Sequence, residues 1–532
     1  MKKILTIGLT VSLASSLAAC SSETKKPETS VAATGTPVTT ASATPNAAAK
    51  KITISTIFGT WSSPIPSATG DGIRKINEKF NVDYKPQFVP FGEYGSKLPV
   101  VMAAGDLPDV IGMESADANF FKWAKQGAFL PLNDYIDKYP SLKLVPKSVW
   151  DAVSVDGKIY AIPQYFPSKY GKKPVIRKDW LDNLGLKMPT NYDELKKVAI
   201  AFAKDDPDKN GKNDTYGLAL SKQMVYGAAM GAQWDVGWYN KNEQGQLIPG
   251  IISDGFKEQT QLLADLYKEG ALHKDWAVSN VNDVRKDFYA GKYGIWYEQP
   301  FGTVEDLFTS MKQLFPAAEV VTIPAFKQAD GGQGYTALSG YYTLTMLNAK
   351  TKSDPDKINR ILQMQDYFRT FIPIDNRNPQ NAEFDWAFGG ENVGYKMVNG
   401  TPSVIDVAGL DKRPSRYSGG VTGWAPNDEA NELGKTYSNA FTKAYANSTV
   451  ELLKNTKFYL NPVDRIYSEL LASKGAELSL ITQEWQTKMI VGQEPISNWG
   501  KMVDEYMKKG GKEVIDDVNK ILQTSGIKGE WK

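Results

Sequence analysis

The chain has 532 residues, with 62 Lys and Arg against 60 Asp and Glu, a formal charge of +2, one cysteine and one histidine. The length exceeds one typical core of ~100–200 residues, and the balanced charge gives no basic stripe for nucleic acid. A single cysteine excludes an internal disulfide, and a single histidine excludes zinc centres built on two or three.

Lys2 and Lys3 precede the apolar run Ile4 to Ala19, which ends in Leu17-Ala18-Ala19-Cys20. A basic start, an apolar stretch and small residues before a cut form a secretory signal. The run is shorter than the ~20 apolar residues of a comfortable span. The pattern resembles the bacterial lipoprotein signal, which implies that residues 1–19 are removed and that Cys20 receives lipid. The expected address is the extracellular face of the cell membrane. Residues 20–50 hold no large apolar side chain except two valines. Such a stretch cannot offset its chain entropy by burial and reads as a disordered tether, about 30 Å end to end. Residues 1–50 carry five Lys and two Glu, leaving 57 basic and 58 acidic side chains in the body, a formal charge of −1.

Folded sequence begins with the alternating strand pattern Lys51 to Phe58. A helical stretch from Gly72 to Phe80 and a strand near Val82 to Val89 complete a strand–helix–strand unit, the mark of a largely parallel sheet. Thr190, followed by Asp193 three residues on, reads as a helix start carrying Leu195, Val198, Ala199 and Phe202 on one face. A second amphipathic helix is expected from Gly255 to Glu269, stopped by Gly270. Ser353-Asp354-Pro355 opens a third, with Ile358, Ile361 and Leu362 on its apolar side. From Pro462 the pattern is almost wholly helical, punctuated by Gly492, Pro495 and Gly510-Gly511. No short repeat is present, which argues against a solenoid or propeller.

The sharpest local motif of the body is Asp206-Pro-Asp208-Lys-Asn210-Gly-Lys212-Asn-Asp214. Oxygen side chains at positions 1, 3, 5 and 9, glycine at 6 and a carbonyl from Lys212 match a calcium loop. Position 12 is Gly217 instead of the bidentate glutamate, so the expected ion is structural and needs Asp214 or distant ligands. The alternative is an Asp/Asn-rich turn after a helix. No serine-hydrolase elbow is present, and Gly434-Lys435-Thr436 lacks the glycine a P-loop needs at Glu429. A paired-carboxylate glycosidase stays open, because sequence does not show which two acids face each other.

Sixty aromatic residues (13 Trp, 26 Tyr, 21 Phe) are the compositional oddity, and their rings suit both a core and a wet cleft. They recur in glycine-rich surroundings at Trp61, Trp234, Trp238, Trp296, Tyr341, Trp386 and Trp424. Glycine lets a loop approach a ligand. A sugar ring offers an apolar C–H face and a fringe of hydroxyls, which fits an aromatic platform edged by Asp235, Glu298, Asp385 or Arg413. The alternative for any one tryptophan is burial. Lys412, Arg413 and Arg416 suit an acidic sugar, since arginine pairs carboxylates bidentately, or else are surface charge.

With these residues in view, residues 52–528 resemble the extracellular solute-binding proteins of carbohydrate ABC importers, nearest the large LipO-like Gram-positive lipoproteins. The marks are Ala104-Gly-Asp-Leu-Pro-Asp-Val110, Asp156-Gly-Lys-Ile-Tyr-Ala-Ile-Pro163, Arg177-Lys-Asp-Trp-Leu181 and Ile490-Val-Gly-Gln-Glu-Pro-Ile496, in that order. The resemblance implies a type II periplasmic-binding-protein-like fold, two α/β lobes joined by a hinge. By analogy, residues 51–165 and 330–375 form the first lobe, and 170–325 and 380–532 the second. It further implies a non-catalytic monomeric receptor that closes on an oligosaccharide and engages the membrane subunits of an ABC transporter. The rival readings are a lipid-anchored glycan-processing enzyme and a peptide-binding lipoprotein.

Overall fold

The computed structural model describes residues 50–62, 64–222, 228–405 and 407–532. The signal peptide, Cys20 and the tether expected at residues 1–49 lie outside the described residues. Sixteen strands are described. They are β1 (Ile52–Thr60), β2 (Val82–Pro90), β3 (Val110–Met113), β4 (Ser154–Val155), β5 (Lys158–Ile159), β6 (Ile162–Tyr165), β7 (Lys173–Arg177) and β8 (Tyr216–Leu218). The rest are β9 (Tyr293–Glu298), β10 (Val320–Thr322), β11 (Gly334–Thr336), β12 (Tyr341–Leu347), β13 (Tyr395–Val398), β14 (Thr401–Val404), β15 (Lys457–Leu460) and β16 (Glu530–Trp531).

The first sheet has five strands in the order β2-β1-β3-β12-β6. β1 runs parallel to β2 and β3, and β12 is inserted antiparallel to both β3 and β6. Ile54, Ile57 and Phe58 of β1 are buried, as are Ile73, Ile76 and Phe80 on one face of the helix Asp71–Phe80. That helix ends at Asn81, whose left-handed backbone (φ 49°) releases its N–H to the carbonyl of Asn77 and turns the chain into β2.

The second sheet, β10-β7-β9-β8, is mixed: β7 lies antiparallel to β9 and β10, and only β8 with β9 is parallel. Its helix Tyr192–Lys204 is capped one residue later than the sequence suggested. Asn191 accepts from the N–H of Glu194 (2.9 Å), while the Glu194 carboxylate takes both the N–H and hydroxyl of Thr190 at 2.8 Å. The capping box is therefore built on Asn191 and Glu194, not on Thr190 and Asp193. The helices Asp254–Lys268, ending before Gly270 (φ 74°), and Pro355–Arg369, capped by Asp354, match expectation. A helical layer (Glu469–Ile490, Trp499–Tyr506, Lys512–Ser525) completes the chain, and β16 then pairs with β15 beside β11.

All described residues belong to one compact unit, with separate cores over the two large sheets. The packing departs from the expected lobe boundaries in two places. Trp386, Tyr417 and Trp424 pack into the first core, tied there by Tyr84 Oη to the Tyr417 carbonyl (2.7 Å) and Trp424 N–H to the Arg369 carbonyl (2.8 Å). Trp386 and the stretch 417–425 thus pack with the first sheet, whereas the hairpin between them is tied to the second side by Thr401 Oγ1, which donates to the Lys435 and Tyr437 carbonyls (3.2 and 3.4 Å). Conversely, Gly334–Thr336 pairs with Lys457–Tyr459, and Tyr335 is buried with Phe458 on the second side.

Three segments connect the halves: 166–172, 337–340 and 425–433. The first two run against each other through Phe166 N–H to Gly340 O (3.1 Å) and Leu338 N–H to Ser168 O (2.9 Å). The third contributes Asp428, whose carboxylate accepts from Tyr165 Oη (2.9 Å), Ser168 Oγ (2.8 Å) and Lys169 N–H (2.9 Å). One carboxylate thereby knots two of the connections.

Candidate functional site

β12 is antiparallel to the strands beside it, so its amino end meets the carboxyl ends of β1, β2, β3 and β6 along one edge of the first sheet. In open α/β sheets ligands bind outside this edge. Here it carries Trp61 after β1, Phe91 after β2, Glu114 after β3, Phe166 after β6 and Tyr342 in β12.

Their geometry is specific. Trp61 is 68% exposed, its ring 5.1 Å from that of Phe91. Gly59 makes this possible, because a Cβ there would run into the Phe91 ring. Trp61 Nε1 donates to Tyr342 Oη (2.8 Å), and Tyr342 Oη donates to the exposed carboxylate of Glu114. Burial, with that carboxylate beside it, pushes the Tyr342 phenol well above its ordinary pKa. Phe166 stands 6.0 Å from Tyr342 and 5.4 Å, edge-on, from Phe301, which follows β9 of the second sheet. An aromatic platform edged by an acid therefore lies on the first half and touches the second through Phe301.

Behind Phe301, the Glu298 carboxylate is 2% exposed. It accepts from Arg285 Nε (3.1 Å) and Nη2 (2.7 Å), Tyr289 Oη (2.6 Å) and Gln299 N–H (2.8 Å). Its acceptor sites are filled, so Glu298 is a buttress, not the sugar contact expected of it.

Most other expected contacts are also corrected. Trp234 is buried against Tyr192 and Phe326, its Nε1 on Glu258 (2.7 Å). Trp238 is buried in the helical layer, and Trp296 in the core under β9. Asp235 takes the Gly237 N–H (3.1 Å), and burial raises its pKa. Trp424 is buried edge-on to Tyr165 at 5.5 Å, supporting the edge from behind. Trp386 packs on Phe80 and Tyr367 under Lys79, at the opposite edge of the sheet. The Arg413 guanidinium lies 4.4 Å over the Phe388 ring, and burial pulls its pKa down to about 10. Of the expected aromatics Trp61 is exposed, and Tyr341 is half-buried with its neighbour Tyr342 on the edge.

Tyr341 instead helps line a small, partly open pocket of about 130 Å³ with Asn461, Asp464 and Arg465, beside the 337–340 connection. That volume is below the ~300 Å³ of ordinary ligand pockets. The open aromatic edge is the better candidate.

The loop at residues 206–214 is closed by its own hydrogen bonds. Asp206 accepts the N–H groups of Asn210 and Gly211, both at 3.0 Å, and Asn210 Nδ2 reaches Asp208 (2.9 Å) and Asp214 (3.2 Å). Lys212 donates its N–H to Asn210 Oδ1 (2.8 Å). Asp208 Oδ1 is buried without a hydrogen-bond partner, and burial together with Asp206 and Asp214 raises the Asp208 pKa. Among the described residues no three acidic, His or Cys side chains form a metal cage on their own. Gly217, at position 12, has left the loop for β8, and the Thr215 hydroxyl turns inward to the Phe202 carbonyl (2.7 Å).

Sequence and fold comparisons agree with this architecture. Residues 63–357 match the family of bacterial extracellular solute-binding proteins. The chain is similar to lipoprotein LipO of Bacillus subtilis, with 27% identity over 90% of this chain and 94% of that one. It is also similar to the polygalacturonan/rhamnogalacturonan-binding protein YtcQ of the same organism, with 28% identity over 85% and 88%. The alginate-binding protein AlgQ2, solved without calcium ion, shares the fold at TM-score 0.64 and 19% identity, over 89% of this chain and 98% of that one. The fructooligosaccharide transporter protein FusA of Streptococcus pneumoniae, solved with kestose, does so at 0.62 and 18%, over 90% and 99%. With two large sheets, three connecting segments and a match across more than half its length, the chain belongs to the bacterial extracellular solute-binding protein family.

Proposed function

We propose that this chain is a non-catalytic receptor that binds an oligosaccharide between its two halves and delivers it to an ABC importer. The observation that carries the reading is the exposed Trp61 ring, fixed through Tyr342 to Glu114 at the carboxyl edge of the first sheet. A rigid ring bordered by a carboxylate offers a sugar a stacking face and hydroxyl acceptors together. Phe301 gives the second half a contact there, so a ligand bridging both halves favours a closed form over an open one.

Glu298, with its acceptor sites filled, is not available as the second carboxylate of a hydrolytic pair with Glu114. Similarity to lipoprotein LipO supports a chain held outside the cell membrane by lipid on Cys20, and we take the receptor to act as a monomer. The loop Asp206, Asp208, Asn210, Lys212 and Asp214 suits a structural calcium ion. Asp208 Oδ1 is an unpaired buried carboxylate oxygen, and the ion would supply the missing positive charge. Titration of the purified chain with a panel of neutral and acidic oligosaccharides tests the receptor reading. Saturable binding with the sugar recovered intact is expected, and new reducing ends after long incubation would overturn it.

A further inference from the structure

We infer that the cleft selects neutral glycans and that Glu114 is the residue that sets this preference. The inference rests on the receptor reading above and goes on to the class of sugar. The relay at the edge has one direction: Trp61 Nε1 donates to Tyr342, and Tyr342 donates to Glu114. Each donor is spent on the next residue, so the relay presents the outside with a carboxylate. A carboxylate has about four acceptor positions and no donor, and the Tyr342 hydroxyl occupies one. A neutral sugar brings hydroxyl donors, two of which on adjacent carbons fit the paired oxygens. A uronate keeps ring hydroxyls but replaces its hydroxymethyl group by a carboxylate, which cannot donate and carries the same charge as Glu114.

Two of the three cations that the sequence offered to an acidic sugar have an acidic neighbour. Lys412 Nζ is 2.6 Å from Asp71, Arg416 Nε is 3.1 Å from Asp411 while its Nη2 donates to the Pro64 carbonyl (2.6 Å), and Arg413 lies over Phe388 with its Nε buried and without a hydrogen-bond partner. On the second half Arg285 is spent on Glu298, and Lys172 lies in the field of that same carboxylate. Among these cations Arg285, Lys412 and Arg416 each have a carboxylate neighbour, and the Arg413 guanidinium is turned to the Phe388 ring.

The test is calorimetric titration of the purified chain with neutral oligosaccharides (fructo-, malto-, manno- and xylo-series) and with oligogalacturonides of matched length. At least one neutral series is expected to bind, with oligogalacturonides about tenfold weaker or worse. The E114Q variant, exposed and unchanged in melting temperature, is expected to bind the neutral ligand about tenfold more weakly, the difference between a charged and a neutral hydrogen-bond acceptor. The same variant should narrow the gap to the oligogalacturonide. Tighter binding of oligogalacturonides than of every neutral series, or a neutral-ligand affinity unmoved by E114Q, overturns the inference while leaving a glycan receptor standing. Absence of binding to any glycan overturns both.

Discussion

Removing the Asp428 carboxylate perturbs the connections between the halves most directly. Asp428→Ala deletes an acceptor for the Tyr165 and Ser168 hydroxyls and the Lys169 N–H, at 2.8–2.9 Å, in a site that is 9% exposed. Hydrogen bonds to a charged group contribute ~1.5–3 kcal/mol each, and they are not additive. Tyr165 keeps one neighbour, the Asn431 amide that donates to it at 2.8 Å. Ser168 and the Lys169 N–H lose the partner that holds the first connection in place. The expected cost is about 3–5 kcal/mol, the range for stranding buried polar groups. Asp428→Asn keeps one acceptor oxygen and should cost about 1–2 kcal/mol. Chemical denaturation followed by tryptophan fluorescence and far-UV circular dichroism measures both. A loss below about 0.5 kcal/mol in the alanine variant, the scale of an ordinary surface change, would refute the account of Asp428 as a structural knot.

Lys173 gives a pH signature. It is 3% exposed, held 3.4 Å from the carbonyls of Gly171 and Lys172, and burial lowers its pKa to about 8. The unfolded chain retains this proton to about pH 10.5, so stability should rise with pH between about 8 and 10.5. Lys173→Met should flatten that rise and stabilise the protein at pH 7 by about 1–3 kcal/mol, less whatever Asp235 loses with its neighbouring charge; an unchanged pH profile would count against the assignment. For the loop at residues 206–214, added calcium should raise the melting temperature and a chelator should lower it. Asp208→Asn should abolish the difference, whereas equal melting in both conditions would exclude a structural ion.

The elements written in short-range rules were legible: the alternation of Ile52 to Phe58, the Asp354-Pro355 helix start and the stop at Gly270. The site was only partly legible, because glycine beside an aromatic residue has two causes. At Gly59 the missing side chain lets Phe91 support an exposed Trp61, while at Gly294 it lets the Phe202 ring pack directly against β9 in the core. Local sequence does not separate the two. Glu114 was missed although a signal existed: it is the first residue after the fully buried strand Val110–Met113, where a parallel sheet presents its ligand edge. The basic run Lys412–Arg416 was left between two readings for a different reason. Its partners Asp71, Pro64 and Phe388 are distant in sequence or not charged, and only the fold brings them together.

The receptor claim stands most directly on one titration, that of the purified chain and its Trp61→Ala variant with the best-binding oligosaccharide of the panel. The account predicts one saturable site in the parent chain and, in the variant, a loss of about tenfold or more, as expected for removing an aromatic stacking face. Equal affinity of the two proteins, or binding by neither, would contradict it.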